Sequence, residues 1–272
     1  NLGVEGMMCV GAISGFYVAY CTGNPWMAFM IAGLAGGLVS LIHAFLTIHL
    51  RADQTISGLA LTMFGFGLAS MLGKRFVGLT IEHFTLVPIP LLADIPVIGE
   101  ILFNQDPITY VSMLLVPVLW FLMFKTRFGL YVRSVGENPE AADAMGVDVY
   151  MIRYLCVLIG GVLAGFGGAH LSLAYTPAWT ENIVAGRGWI AVAMVIFALW
   201  DPIKAPIGAY FFGGLNALQY KLQAIMGIPA PFMLMAPYVF TIVILIFIGL
   251  ESIRKRIGAP SALLKPYVRG EK

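Results

Sequence analysis

Charged side chains are scarce in this chain. Only 11% of its 272 residues are Asp, Glu, Lys or Arg, whereas 60% are hydrophobic and the mean hydropathy is +0.88. A soluble domain carries about a quarter charged residues, so this chain lacks the polar surface that a water-soluble globule of its size requires. The net charge of +2 is too small to indicate nucleic-acid binding. The composition therefore indicates a membrane protein.

Residue patterns typical of metal sites and catalytic sites are also missing from the sequence. The three cysteines, Cys9, Cys21 and Cys156, lie in apolar stretches without metal-ligand spacing, so we interpret them as packing residues. The sequence contains no His-Glu-x-x-His pattern and no glycine-rich phosphate loop ending in Lys-Ser or Lys-Thr. We therefore expect no enzyme activity, no metal and no cofactor on this chain.

Apolar segments of helical length dominate the sequence instead. A bilayer core of roughly 30 Å needs about 20 helical residues, and we place eight segments at about 7–21, 27–50, 56–73, 109–124, 154–174, 189–200, 207–225 and 233–250. Together they contain no Asp, Glu or Arg and a single lysine, Lys221, near a segment end. We predict an all-α polytopic membrane protein whose residues 1–272 form one transmembrane domain.

The basic residues orient these segments. Twelve of the 16 Lys and Arg residues fall in the loops 51–55, 125–153 and 201–206 and in the tail from residue 251. By the positive-inside rule this side is cytoplasmic, which places 74–108 outside. Four prolines among the apolar residues of 74–108 disfavour a continuous helix, so we predict a folded cap at the outer interface. Because the chain opens at Asn1 within a motif, we expect a further helix before it.

Two of the segments, 7–21 and 189–200, are too short to cross a bilayer as straight helices. Each follows a polar stretch broken by glycines and precedes a proline turn, and each then leads into a segment containing Gly-Gly-Leu. Because the two units cross in opposite directions, we predict an inverted repeat with discontinuous helices that line the substrate pathway. The residues assigned to this pathway are Asn1, Glu5, Gly6, Met7, Arg187, Gly188 and Trp189.

Glu5 and Arg187 occupy matching positions of the two units and carry opposite charges. In one interpretation both face a water-filled path or a subunit interface, or brace the helix breaks by bonding freed backbone groups. In the other, each is an interfacial residue with its charged head in solvent. His43 and His170 also lie within spans, and for each we favour a hydrogen-bonded packing role over the alternative, a proton relay.

The longest cytoplasmic loop, 125–153, contains a short helix with complete end signals. Asn138 is a good N-cap, Pro139 suits the first helical position, and Gly146 suits the exit. Glu140 complements the positive helix start. A capped helix on so apolar a protein indicates a docking partner, although a solvated connector is the alternative. The residues assigned to this docking site are Glu137, Asn138, Pro139, Glu140, Ala141, Ala142 and Gly146.

Several of these stretches are similar to one transporter family. The sequence RSVGENPEAAD at 133–143, followed by Gly-Val at 146–147, resembles the coupling-helix region of ATP-binding-cassette importer permeases for branched-chain amino acids, ribose and nucleosides. The sequences NLGVEGMM at 1–8, AGRGWIA at 185–191, LAGFGGA at 163–169 and the proline-rich 88–99 resemble the nucleoside and simple-sugar branch. The resemblance covers nearly the whole chain.

The resemblance implies a function and a set of partners. The chain is expected to be a permease of about ten helices in a bacterial inner membrane, importing a nucleoside or simple sugar by alternating access. It is expected to work with a second, related permease, an ATPase subunit that binds ATP and Mg²⁺, and an extracytoplasmic binding lipoprotein. The alternatives are an importer for branched-chain amino acids and an ion-coupled secondary transporter, for which Glu5 is the one candidate coupling carboxylate.

Overall fold

The computed structural model describes residues 1–96, 98–226, 232, 235, 239–243, 246 and 259–270. Within them the chain forms nine α-helices: α1 (Val4–Thr22), α2 (Pro25–Ala44), α3 (Gln54–Gly73), α4 (Pro107–Lys125), α5 (Arg127–Glu137), α6 (Pro139–Ala144), α7 (Val149–His170), α8 (Arg187–Phe197) and α9 (Ala205–Met226). Two-residue strands, β1 (Val87–Pro88) and β2 (Asn104–Gln105), pair antiparallel. The α-helical prediction is confirmed.

Five helical stretches are long and apolar enough to cross a membrane, counted over the described residues. They are Val4–Thr22, Pro25–His49, Gln54–Phe76, Pro107–Lys125 and Val149–Tyr175, of which the second and fifth end in π-helical turns. The protein is therefore a multi-pass membrane protein. The short 189–200 segment is the 11-residue helix α8, and 207–225 lies in α9. The eighth predicted segment, 233–250, falls mostly outside the described residues.

Short polar residues set where these helices begin. Asn24 accepts hydrogen bonds from the backbone N–H groups of Trp26 and Met27 at the start of α2. Asp53, Asp106 and Asp148 cap α3, α4 and α7 in the same way. These side chains satisfy N–H groups that a helix cannot satisfy itself. The starts of these four helices are therefore encoded locally.

Helix α1 lies at the centre of the bundle, in contact with α2, α3, α7 and α8. Its residues Phe16, Ile13 and Ala12 are almost wholly buried. Glycines allow the closest crossings, because a Cβ atom on Gly11 would collide with the backbone of Gly165 in α7. Small residues permit this approach in lipid, so glycine serves helix packing at this crossing.

The 74–108 segment is folded against the end of α7. Its backbone bridges residues 178 and 179, and the Trp179 side chain is buried beside Phe16 and Phe76. Within the segment, a π-helical turn at Gly99–Phe103 leads directly into β2. Between the ends of α3 and α4, the described residues of this segment form no long helix, in agreement with its prolines. Its location outside the membrane stays a prediction.

Two boundaries differ from the sequence-based prediction. Helix α1 begins at Val4, so Glu5 and Gly6 lie within its first turn and not in a break that precedes it. The prediction that 7–21 is too short to cross a bilayer is therefore wrong, because the added first turn gives a continuous helix of 19 residues. The 125–153 loop contains α5 in addition to the short helix α6. Helix α5 is amphipathic, with Phe128, Val132 and Val135 on its packed side, and its polar residues conceal it from a search for apolar segments.

Candidate substrate pathway and coupling surface

The starts of α1 and α8 meet through one buried carboxylate. Glu5, in the first turn of α1, is 1% exposed. Its Oε1 atom accepts a hydrogen bond from the backbone N–H of Gly186 at 2.6 Å, and its Oε2 atom accepts one from that of Trp189 at 3.1 Å. Both donors belong to the start of α8. A side chain of one predicted repeat unit therefore caps a helix of the other.

Glu5 supplies hydrogen-bond acceptors that the start of α8 lacks. The first N–H groups of a helix have no partner within it, and lipid offers none. The positive end of the helix dipole also favours a nearby negative charge. Of the two interpretations of Glu5, the buried brace is the one that the structure shows, because its head is shielded from solvent.

Gly188 makes this junction sterically possible. A Cβ atom at position 188 would lie 2.6 Å from both the Cα and the Oε2 atom of Glu5. Two Cβ-bearing residues cannot approach so closely. The two glycine-containing stretches therefore contact each other, although they are more than 180 residues apart in sequence.

Arg187 turns towards its own loop. Its Nη1 atom donates to the carbonyl oxygens of Ile183 at 3.1 Å and Val184 at 3.4 Å. Its guanidinium group lies 5.4 Å from the centre of the Tyr175 ring, where a cation–π attraction operates. Arg187 thus bonds the backbone that leads into α8. Glu5 and Arg187 both bond backbone groups at this junction, and they form no ion pair among the described residues.

The other predicted pathway residues occupy different environments. Asn1 accepts a hydrogen bond from the Gly3 N–H at 2.8 Å and lines a cavity of about 290 Å³. Met7 is 1% exposed and packs with Val10, Val39 and Leu61, so in this conformation it faces the helix core. Gly6 lies against the α3 backbone, and Trp189 is half-buried. Their roles in transport stay predictions.

A second polar cluster joins the cap to α7 and escaped the sequence reasoning. Asp106 caps α4, and its Oδ2 atom lies 3.3 Å from Nε2 of His170 and 2.6 Å from Oγ1 of Thr109. Burial alone raises the pKa of the Asp106 carboxyl, but the bonds to His170 and Thr109 outweigh it and hold that pKa below its usual range. The Asp-Pro start of α4 was a signal for the cap, and His170 was predicted to form a hydrogen bond, but nothing in the sequence indicated that these two residues pair.

The two Gly-Gly-Leu segments have different surroundings. In α2, Gly36 lies against the backbone of Gly161 and Gly165, and Gly37 lies against α7 side chains. In α9, no atom of the described residues lies within 4 Å of where a side chain on Gly213 or Gly214 would stand. They border a cavity of about 660 Å³ between α4, α8 and α9, which His170 and Thr109 also line. The two predicted repeat units thus share a sequence pattern, whereas their described surroundings differ.

The predicted coupling helix forms as its end signals require. The Asn138 side chain accepts a hydrogen bond from the Ala141 N–H at 3.0 Å, and Pro139 begins α6. Gly146 takes a positive φ of 84° directly after the helix. Glu140, exposed in the first turn, complements the positive helix start.

The two central alanines of α6 have different environments. Ala142 is 5% exposed and packs beneath the helix, whereas Ala141 is exposed. Met145, which follows the helix, is 84% exposed. The assignment of α6 to a docking site stays a prediction.

Comparison with known proteins places the chain in a family. A family model described as "Branched-chain amino acid transport system / permease component" matches residues 1–249. The chain belongs to this family of permeases. No solved structure was found to match it.

Its curated relatives include transporters from archaea and bacteria. The chain is 41% identical to the putative glucose ABC transporter permease protein TsgC13 of Haloferax volcanii, over 99% of this chain and 89% of the relative. It is 39% identical to the guanosine ABC transporter permease protein NupQ of Bacillus subtilis, over 100% of this chain and 88% of the relative. It is also 39% identical to the nucleoside ABC transporter permease protein NupC of Lactococcus lactis, over 92% and 83%.

Proposed function

We propose that this chain is one permease of an ATP-binding-cassette importer that carries a nucleoside or a related simple sugar across a bacterial inner membrane. The family match covers residues 1–249, and the relatives above are named as guanosine, nucleoside and glucose permeases. The branched-chain amino acid in the family's description is the competing substrate.

One observation favours a neutral substrate over an amino acid. The two charged side chains at the α1–α8 junction already have partners: Glu5 accepts from two α8 N–H groups, and Arg187 bonds two carbonyl oxygens. A zwitterionic amino acid needs a counter-charge for its ammonium group and another for its carboxylate, because an unpaired charge in an apolar site is costly. A nucleoside or sugar needs only hydrogen bonds and an apolar face.

Helix starts at a transporter midplane commonly receive anionic substrate groups. Here the Glu5 carboxylate takes that place at the start of α8. A substrate carboxylate approaching the same N–H groups would meet a negative charge. The position of Glu5 is thus a second argument for a neutral substrate.

In the proposed mechanism the chain supplies the path, and a partner ATPase supplies the energy. The chain pairs with a second, related permease and receives substrate from an extracytoplasmic lipoprotein. Helix α6 docks on the ATPase, so closure of the ATPase dimer moves α5–α7 and opens the path to the other side. The hydrogen bonds of Glu5 make the starts of α1 and α8 move together during this change.

The test is uptake by the reconstituted importer with its cognate lipoprotein. Labelled guanosine, glucose and leucine would each be supplied at equal concentration. The proposal expects ATP-dependent accumulation of guanosine or glucose and none of leucine. Accumulation of leucine alone would assign the chain to the amino-acid importers instead.

A further inference from the structure

Residues 259–270 form three polar contacts with α5, α6 and α7, which are called the coupling region below. The Ser261 hydroxyl donates to Oε2 of Glu137 in α5 at 2.7 Å. The Arg269 Nε donates to Oδ2 of Asp143 in α6 at 3.0 Å. A third bond runs from Nη1 of Arg153 in α7 to the Lys265 carbonyl oxygen at 3.1 Å. The segment is therefore attached to all three helices of the coupling region.

Backbone pairing and an aromatic anchor add to these bonds. The Ala262 N–H donates to the Gly136 carbonyl oxygen at 2.9 Å. Tyr267 is 6% exposed and packs in one cluster with Val135, Ala142 and Val149, from α5, α6 and the start of α7. A buried aromatic side chain shared by three helices fixes their relative positions. Helix α6 cannot shift relative to α5 and α7 without disturbing Tyr267.

The exposed surfaces of α6 and of this segment are continuous. A cavity of about 430 Å³ lies between them, with Pro139 and Glu140 on one side and Lys265, Pro266 and Val268 on the other. Glu140, Lys265 and Pro266 are exposed. The cavity opens at the start of the helix that the proposed function assigns to ATPase docking.

We propose that residues 259–270 and α6 together form one docking surface for the partner ATPase. This inference rests on the proposed function, because it extends the site through which α6 meets that partner. The ATPase contacts both walls of the 430 Å³ cavity, and Tyr267 with the Asp143–Arg269 pair holds α6 in the orientation that engages it. Residues 259–270 are thus a positioning element and a contact element for the same partner.

Thiol protection in the intact importer tests the contact. Single cysteines replace Glu140, Lys265 or Ala52, all exposed, in the full-length chain without its native cysteines. Ala52 is the control, because it lies on the same predicted side but in another loop. Permeases with and without bound ATPase are treated in detergent with a maleimide reagent. We expect the ATPase to slow labelling at positions 140 and 265 and to leave position 52 unchanged.

The outcomes separate this inference from the proposed function. Protection at 140 without protection at 265 would overturn the extended surface and leave the role of α6 intact. If the ATPase changes labelling at neither position 140 nor position 265, both the extended surface and the docking role of α6 would be overturned. Equal protection of all three positions would overturn the specific surface, because the control lies outside it.

A charge exchange tests the positioning role independently. Arg269→Asp and Asp143→Arg each place like charges opposite each other, and the double exchange restores an opposite-charge pair. Expression, ATPase co-purification and ATP hydrolysis stimulated by the loaded lipoprotein would be measured. We expect each single variant to lower stimulation several-fold at normal expression, and the double variant to recover most of it. Equal stimulation in all variants, or no recovery in the double variant, would contradict the role of this pair.

Discussion

The Glu5 carboxylate and the Trp189 backbone N–H form a hydrogen bond of 3.1 Å between residues 184 positions apart. With the bond from Gly186, it joins the starts of two helices that belong to different predicted repeat units. Because both donors would otherwise be unsatisfied in an apolar interior, the carboxylate determines whether α8 can begin where it does. The predictions below start from this junction.

Replacing Glu5 should weaken folding and transport together. An unsatisfied buried N–H costs about 1–3 kcal/mol, so Glu5→Ala should lower the thermal stability of the purified protein and abolish uptake. Glu5→Gln keeps one acceptor oxygen and should give an intermediate result. Glu100→Ala, which removes an exposed carboxylate of the cap, is the control. Normal stability and uptake in Glu5→Ala would show that the brace is unimportant.

Gly188→Val should block uptake because the new side chain collides with Glu5. Gly160→Val is the matched control, since Gly160 is exposed and has no neighbour where a side chain would stand. Trp189→Ala should also impair uptake more than it impairs expression. Gly168→Val should mainly reduce expression, because it collides with the Met8 backbone in the core. Wild-type uptake by Gly188→Val would argue against a fixed junction.

The two alanines of α6 should respond differently to a charged substituent. Ala141 is exposed and Ala142 is buried, so Ala141→Glu should prevent ATPase co-purification at normal thermal stability. Ala142→Glu should also lower stability, by about 1–3 kcal/mol or more for a buried polar group without a partner. Co-purification of the ATPase with the Ala141→Glu variant would remove α6 from the docking surface.

Membrane orientation can be checked with two exposed positions. Thr85 lies in the cap, and Glu140 lies in α6. Single cysteines at these positions, in a chain without native cysteines, would be exposed to an impermeant thiol reagent in intact spheroplasts. Position 85 should react, and position 140 should react only after lysis. The reverse pattern would invert the topology derived from the basic residues.

Much of the bundle could be predicted because a helix that crosses lipid requires about 20 mostly apolar residues. The apolar segment 27–50 corresponds to Pro25–His49, and 56–73 lies within Gln54–Phe76. The capped helix was predicted at 139–145 and is found at Pro139–Ala144. Hydropathy and helix end signals depend on neighbouring residues only, so they can be identified from a single sequence.

The contacts between distant segments could not be predicted in the same way. Matching positions in the two units singled out Glu5, but the backbone groups that it bonds depend on how α8 folds back on α1. The bonds of residues 259–270 to Glu137 and Asp143 cross more than 120 positions and follow no period. Helix α5 was missed because its apolar residues are interspersed with polar ones, so a search for wholly apolar segments does not find it.

The measurement that tests the account most directly is transport in proteoliposomes that contain the two permeases and the ATPase, with the loaded lipoprotein outside. ATP would be enclosed with either the active ATPase or a variant that binds ATP but cannot hydrolyse it. Uptake of a neutral nucleoside or sugar should occur only with the active ATPase and should persist when ion gradients are collapsed. Uptake that continues with the inactive ATPase and disappears with the ion gradient would contradict the account and identify an ion-coupled transporter.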